Sequence, residues 1–283
     1  MARPGLARTH NQANSGSAGF LLRVLLGEFM WPEPRSARTA TLIYVLGALG
    51  VDERTARQAI RRAAARGWIE SRKNGREVIW QLTQGGNDMI RAGARRVLSL
   101  DRAAGTWGGQ WLVLVITVPS EERSTRRHLQ ARLAWAGFGS PQPGMWVSAR
   151  PERRDEAASI VAELGLREQT WSFVGSSVDV GLGDEELARR SWDLERASAL
   201  GSALLQRYSS ALPVGGDDVL LTYVRLLDDW YRLPYSMPQL PDGLLPDWNG
   251  RALTSRLRSL RNEWRKGALD RWDEIERPDS SEG

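Results

Sequence analysis

The stretch ERTARQAIRRAAAR, residues 53–66, sets Arg57 and Arg61 four apart, with Arg54, Thr55, Gln58 and Arg62 beside them. Four residues is close to one helical turn, so the two arginines share a face if the stretch is helical. Arginine can hold the O6/N7 edge of guanine through two hydrogen bonds, and glutamine can hold an adenine edge the same way. A row of such side chains could read base edges in a major groove or hold phosphates. The bland alternative is a solvated basic helix face. A second basic group, Arg72, Lys73 and Arg76, flanks Asn74-Gly75 in WIESRKNGREVIWQLT. That pattern predicts a hairpin with Asn74-Gly75 at its tip. Its cations are expected to hold phosphates, contacts that position a protein without specifying sequence.

Other chemistries find less material. The chain has no cysteine and only two histidines, His10 and His128. Disulfides, thiolate metal sites and cysteine nucleophiles are excluded, and a histidine-based zinc site or triad is not expected. No catalytic residue, resident metal or cofactor is predicted. No apolar run reaches the roughly 18–20 residues of a membrane span, and the first residues lack an apolar signal core. A cytoplasmic protein without membrane contact is the expectation.

The elements that must position the basic residues can be read around them. Ala18–Met30 predicts a core helix, ended at Trp31-Pro32-Glu33-Pro34 because proline cannot continue a helix. Thr41–Leu49 predicts a second helix, with Leu42, Val45, Leu46 and Leu49 on one stripe. Gly50 suits the residue just past its end, and Asp52 suits the cap of the next helix. On that next helix Ala56, Ala59, Ile60 and Ala63 form the inward face. A closing helix over Gln84–Leu100 follows the hairpin. Together these elements predict a winged helix-turn-helix, whose second helix enters a major groove.

Charge divides the chain in the same way. Up to Ala104 there are 17 Lys and Arg against 8 Asp and Glu, and beyond it 22 against 26. A basic head on a mildly acidic body is the electrostatic footprint of a DNA-binding module joined to a control or assembly body. Beyond a loop at Asp101–Gly109, WLVLVITV predicts a strand, Glu121–Gly137 a helix, MWVSA a strand, Arg154–Leu164 a helix and QTWSFVGSSV a strand. With room for one more short strand, this is a βαββαβ ferredoxin-like pattern. From Gly183 onward the chain reads as helical. The predicted class is α+β, with tails at 1–17 and 274–283, a winged helix-turn-helix at 18–104, a ferredoxin-like domain at 105–182 and a helical effector and dimerisation domain at 183–273.

The chain resembles the PaaX-type repressors of phenylacetic acid catabolism along nearly its whole length. The resemblance lies in the turn and helix ERTARQAIRRAAARGWI, the GR-bearing wing, and Leu82-Thr83 followed by Gly86. It continues in W-G-G-Q-W-L (107–112), L-A-W-A-G-F-G (133–139) and G-M-W-V-S (144–148), then in S-W-D-L (191–194), Tyr208 and L-P-D-G-L-L-P-D-W-N-G (240–250). It implies a bacterial repressor that binds a double-stranded operator as a homodimer and is released by an aromatic acyl-coenzyme A. Ala56 and Ala63 stand where relatives have larger apolar residues, so operator preference is open to difference.

Thirteen tryptophans give such an effector possible walls. Trp107, Trp135, Trp146, Trp192, Tyr208 and Trp230 are candidates for an aromatic pocket, against the alternative that they pack cores. Arg132, Arg207 or Arg232 could meet coenzyme A phosphates. Two other readings stay open. The middle domain is similar to small CRISPR-adaptation nucleases, which would make the chain a metal-dependent nuclease with a DNA-binding head. Its first strand runs into VITVPSEE, which has no aspartate where one is expected; Glu121 and Glu122 follow at the start of a helix, where the dipole favours carboxylates anyway. A ligand-independent architectural DNA-binding protein is the third reading.

Overall fold

The structure, a computed structural model, describes residues 17–75, 77–99, 107–178, 180–241 and 243–277. The expected tails, the loop beginning at Asp101 and the wing residue Arg76 lie wholly or partly outside them. The chain divides into two compact units. Among the described residues, one is built from 17–99, 204–231 and 255–277, the other from 107–203 and 232–254. The divisions therefore fall inside the three long C-terminal helices α8 (Leu194–Ser209), α9 (Gly216–Ser236) and α10 (Gly250–Glu276).

The first unit begins with α1 (Ala18–Phe29), β1 (Ser36–Arg38), α2 (Thr39–Ala48) and α3 (Glu53–Ala65). The strands β2 (Ile69–Asn74) and β3 (Glu77–Leu82) and the helix α4 (Gln84–Ser99) follow. The three strands form an antiparallel sheet in the order β1-β3-β2. This is the layout expected of a winged helix-turn-helix, with one strand the sequence pattern did not announce. β1 is only Ser-Ala-Arg, too short for an alternating pattern to be seen. α1 is buried nearly all round: Leu21, Leu22, Leu25, Leu26 and Phe29 are all in the core. Phe29 stacks on Trp272 of α10, ring centroids 4.3 Å apart. Burying such aromatic pairs contributes beyond their apolar area.

The second unit holds a four-stranded sheet of β4 (Trp111–Ile116), β5 (Gly139–Gln142), β6 (Met145–Ser148) and β7 (Thr170–Gly175). Helix α5 (Arg123–Trp135) lies between β4 and β5 in sequence, and α6 (Arg154–Glu163) between β6 and β7. The order β5-β6-β4-β7, antiparallel throughout, is the ferredoxin-like arrangement. Side chains alternate across β4. Leu112, Leu114 and Ile116 face the α5–α6 core with Leu129, Leu133 and Ile160. Trp111 and Val113 face the other side, under α7 (Asp184–Ser191) and the Leu240–Leu245 segment.

The stretch from Asp184 that reads as one helix is two. Trp192 is extended, with φ −128° and ψ 147°, and the Asp193 carboxylate accepts the Arg196 N–H at 3.1 Å to start α8. The same corner brings two motifs together. A Cβ on Gly139 would lie 2.6 Å from the Trp192 ring and 2.7 Å from Ser191 Cβ, so only glycine fits there.

Candidate nucleic-acid interface

The turn between α2 and α3 is built by three residues. Gly50 adopts φ +92°, a conformation that costs glycine little, and Val51 N–H reaches back to Leu46 O at 3.0 Å. Asp52 then accepts the Thr55 N–H at 2.9 Å. The bonds from Thr55 hold the Asp52 carboxyl below the usual carboxylate range. On α3, Ala56, Ala59, Ile60 and Ala63 are buried as expected. Their small side chains let the helix sit close to its neighbours.

The remaining residues of α3 fall into two strips, because each residue turns the helix by about 100°. Arg54, Gln58 and Arg61 form the outward crest, with Arg57 beside it. Thr55, Arg62 and Arg66 form a flank. All seven are exposed. Arg57 is tied to Glu53 at 2.7 Å and Arg54 feels the charge of the Asp52 carboxylate, whereas no acidic side chain pairs with Arg61 or Arg62 among the described residues. The crest thus carries exposed cations and an amide donor in one row, the chemistry that base edges need.

The wing is held along β3, at mid-strand and beside the turn. The Trp80 indole donates to Thr39 Oγ1 at 2.9 Å, and Arg38 bridges to Glu77 at 3.0 Å. The last paired residues of the hairpin are Asn74 and Glu77, and Gly75 has φ +60°. The turn therefore sits one residue later than the expected Asn74-Gly75 tip. Arg72 and Lys73 are exposed on successive positions of β2, so they point to opposite faces. At the far end, Thr83 Oγ1 accepts the Gly86 N–H at 3.0 Å, and a Cβ on Gly86 would lie 2.0 Å from Trp68 O. This explains the Leu82-Thr83…Gly86 spacing: threonine caps α4, and glycine lets α4 approach the Trp68 backbone just before β2.

The sequence reading missed a buried ionic node beneath this head. Glu28 is only 5% exposed, yet it accepts bonds from Tyr223 at 2.8 Å, Arg261 at 3.0 Å and Arg265 at 2.8 Å. The signal was present, since Glu28 is an acid in an otherwise apolar helix that contains a single arginine. Three further ties follow the same route: Arg35 to Asp273, Arg38 to Glu276 and its neighbouring carbonyls, and Tyr44 with Arg271 to Asp217. Helices α9 and α10 are thus bolted to α1, β1 and α2.

The effector candidates are distributed over both units. Trp107, Arg132, Trp135, Trp146, Trp192 and Arg232 belong to the second unit, and Arg207, Tyr208 and Trp230 to the first. Trp146 lies in the α5–α6 core, and Trp230 is fully buried. Trp107 and Trp192 both pack on Trp111, at 5.7 and 6.3 Å between centroids. Trp135 packs on Tyr235 at 4.3 Å, and Arg132 pairs with Glu163 at 2.8 Å. Arg207 and Tyr208 both donate to Asp229, at 2.9 and 2.6 Å. Burial pushes the Asp229 carboxyl above its ordinary value. The second unit instead gathers Arg150 and Arg153 around Gln239, whose backbone and side-chain oxygens accept at 3.3 and 3.1 Å.

Residues 18–86 match the family model described as PaaX-like protein. Residues 104–187 match the PaaX protein central Cas2-like domain, and residues 192–274 the PaaX-like protein C-terminal domain. Over 224 residues the chain is 25% identical to the transcriptional repressor PaaX of Escherichia coli (strain K12), covering 74% of this chain and 68% of that protein. Among solved structures it is similar in fold to the uncharacterised protein Rv0674 from Mycobacterium tuberculosis. The TM-score is 0.57 at 22% identity, covering 92% of this chain and 99% of the other.

Proposed function

The chain belongs to the PaaX family of transcriptional repressors, and we propose that it grips a double-stranded operator as a homodimer and lets go when an acyl-coenzyme A binds. The observation that carries the DNA reading is the crest of α3, where Arg54, Gln58 and Arg61 stand exposed in one row and no acidic side chain pairs with Arg61 among the described residues. The wing, with Arg72 and Lys73, supplies phosphate contacts beside it.

Homodimerisation is supported by an apolar strip on the second unit. β7 is the edge of its sheet, and on the face turned away from α5 and α6 it leaves Trp171 77% and Phe173 57% exposed beside Val115. Exposed apolar strips of this kind mark association surfaces. A second copy of the chain is the occupant we assign, because one recognition helix reads too few base pairs for a specific operator. The acyl-coenzyme A is what the resemblance to PaaX-type repressors of phenylacetic acid catabolism implies. Among the described residues no three His, Cys, Asp or Glu side chains gather where a metal could be held.

Footprinting on the DNA upstream of the chain's own gene tests the reading. The expected result is protection of two half-sites about one helical turn, or a multiple, apart. Uniform coating of any duplex, with no protected site, would favour the architectural reading instead.

A further inference from the structure

Beside the crest of α3, the structure contains a cleft of about 570 Å³ between α1 and the α3 flank. Arg23, Arg62, Arg66 and Trp68 line it, with Ser17 and Asp52 at the helix starts. The Arg66 guanidinium lies 5.0 Å from the Trp68 ring centroid and that of Arg23 lies 6.0 Å from it. Arg23 also sits 5.1 Å from the Phe20 ring. The aromatic rings hold two cations in place before any ligand arrives.

The lining holds three arginines against one carboxylate, that of Asp52. Neither Arg62 nor Arg66 has an acidic partner among the described residues. Asp52, the carboxylate of the lining, already accepts the Thr55 N–H. Ser17 precedes α1 without capping it through its side chain, so the positive end of that helix also faces the lining.

We propose that this cleft is a second contact for DNA phosphates, separate from the α3 crest and the wing. The inference rests on the DNA-binding reading above and deepens it. A helix seated in a major groove has a sugar-phosphate backbone along each side, so the α3 flank meets one of them when the crest meets the bases. A backbone phosphate fits better than an acyl ligand. Leu22, Leu26, Ala59 and Ala63 beneath the cleft are already buried in the protein core and leave no apolar seat.

The test is the salt dependence of binding to operator and to random duplex, for the full chain and its Arg62→Gln, Arg66→Gln and Arg66→Lys variants. Each Gln variant is expected to weaken both DNAs alike and to lower the slope of log K against log salt by about 0.9 for the one phosphate it no longer neutralises. The Lys variant should keep the slope. Arg62 does not stack on Trp68, so its variant reports on charge even if Arg66→Gln loosens the fold, which thermal melting detects. An unchanged slope in folded Arg62→Gln and Arg66→Gln overturns the proposal. So does a loss confined to operator, or saturable binding of coenzyme A alone that Arg66→Gln abolishes. Arg61→Ala separates the two levels of the reading. If it too leaves binding intact, the DNA reading fails; if it weakens binding while the flank variants do not, only the cleft assignment fails.

Discussion

The arginines of α3 are not equivalent. Arg57 is engaged by Glu53 in an exposed pair, which is worth little by itself but must be broken or shared when a base is read. Arg61 has no such tie among the described residues. Arg61→Ala is therefore expected to weaken specific operator binding by about 1–3 kcal/mol, and Arg57→Ala by less. Fluorescence anisotropy with labelled operator checks both, with circular dichroism to confirm folding. Equal and negligible losses would remove the crest from the base-reading role. On the wing, Arg72→Ala and Lys73→Ala should weaken operator and random DNA by the same factor, since phosphates carry no sequence. A selective loss for operator would mean that the wing reads bases.

At this scale the sequence was informative wherever a side chain acts through its own helix. The inward alanines, the Asp52 cap and the outward arginines all follow from spacing along α3. It was silent where partners are distant in the chain. Nothing near Arg23 announces Trp68, and nothing near Glu28 announces Tyr223, Arg261 and Arg265. The late turn of the wing is a similar case, because register is set by cross-strand pairing rather than by the Asn-Gly pair itself.

Among the elements, the Glu28 node decides how the head is held. Removing one partner from a buried ion pair strands the others, so Glu28→Ala is expected to cost about 3–5 kcal/mol in urea denaturation. A loss within the range of ordinary surface changes would show that the node does not bind α1 to α9 and α10. Asp217 supplies a pH test. Bonds from Tyr44 and Arg271 hold its carboxyl below the ordinary carboxylate value. Its contribution is then fully present above that ordinary value and is lost as pH falls through the lower, folded one. The gap in melting temperature between the wild-type chain and Asp217→Asn should shrink over that acidic window. A gap that stays constant through it would contradict the assignment. The elements themselves were legible where period and punctuation agree, as in α1, α2, α3 and β4. β5 was foreseen only as room for a strand, because Gly-Ser-Pro-Gln has no strand pattern of its own. The break at Trp192-Asp193 was hidden by helix-forming residues on both sides.

For the whole molecule, no described helix is long and apolar enough to cross a membrane, and the exposed apolar strip on β7 calls for another occupant. Trp171→Arg is expected to shift the chain from dimer to monomer in sedimentation at micromolar concentration while the sheet stays folded. An unchanged dimer would place the contact elsewhere. The helices shared between the two units could not be read from the sequence, since α8, α9 and α10 look like ordinary amphipathic segments and their assignment depends on what each half packs against.

The central claim is a repressor whose grip on DNA is set by a ligand, and only a ligand that binds the DNA-free form more tightly can release the operator. The most direct measurement is operator affinity with and without phenylacetyl-coenzyme A and a panel of other acyl-coenzyme A thioesters. The predicted result is specific operator binding, weakened about 5–150-fold by one member of the panel, with operator weakening that ligand by the same factor. Specific operator binding that no acyl-coenzyme A alters would contradict the account.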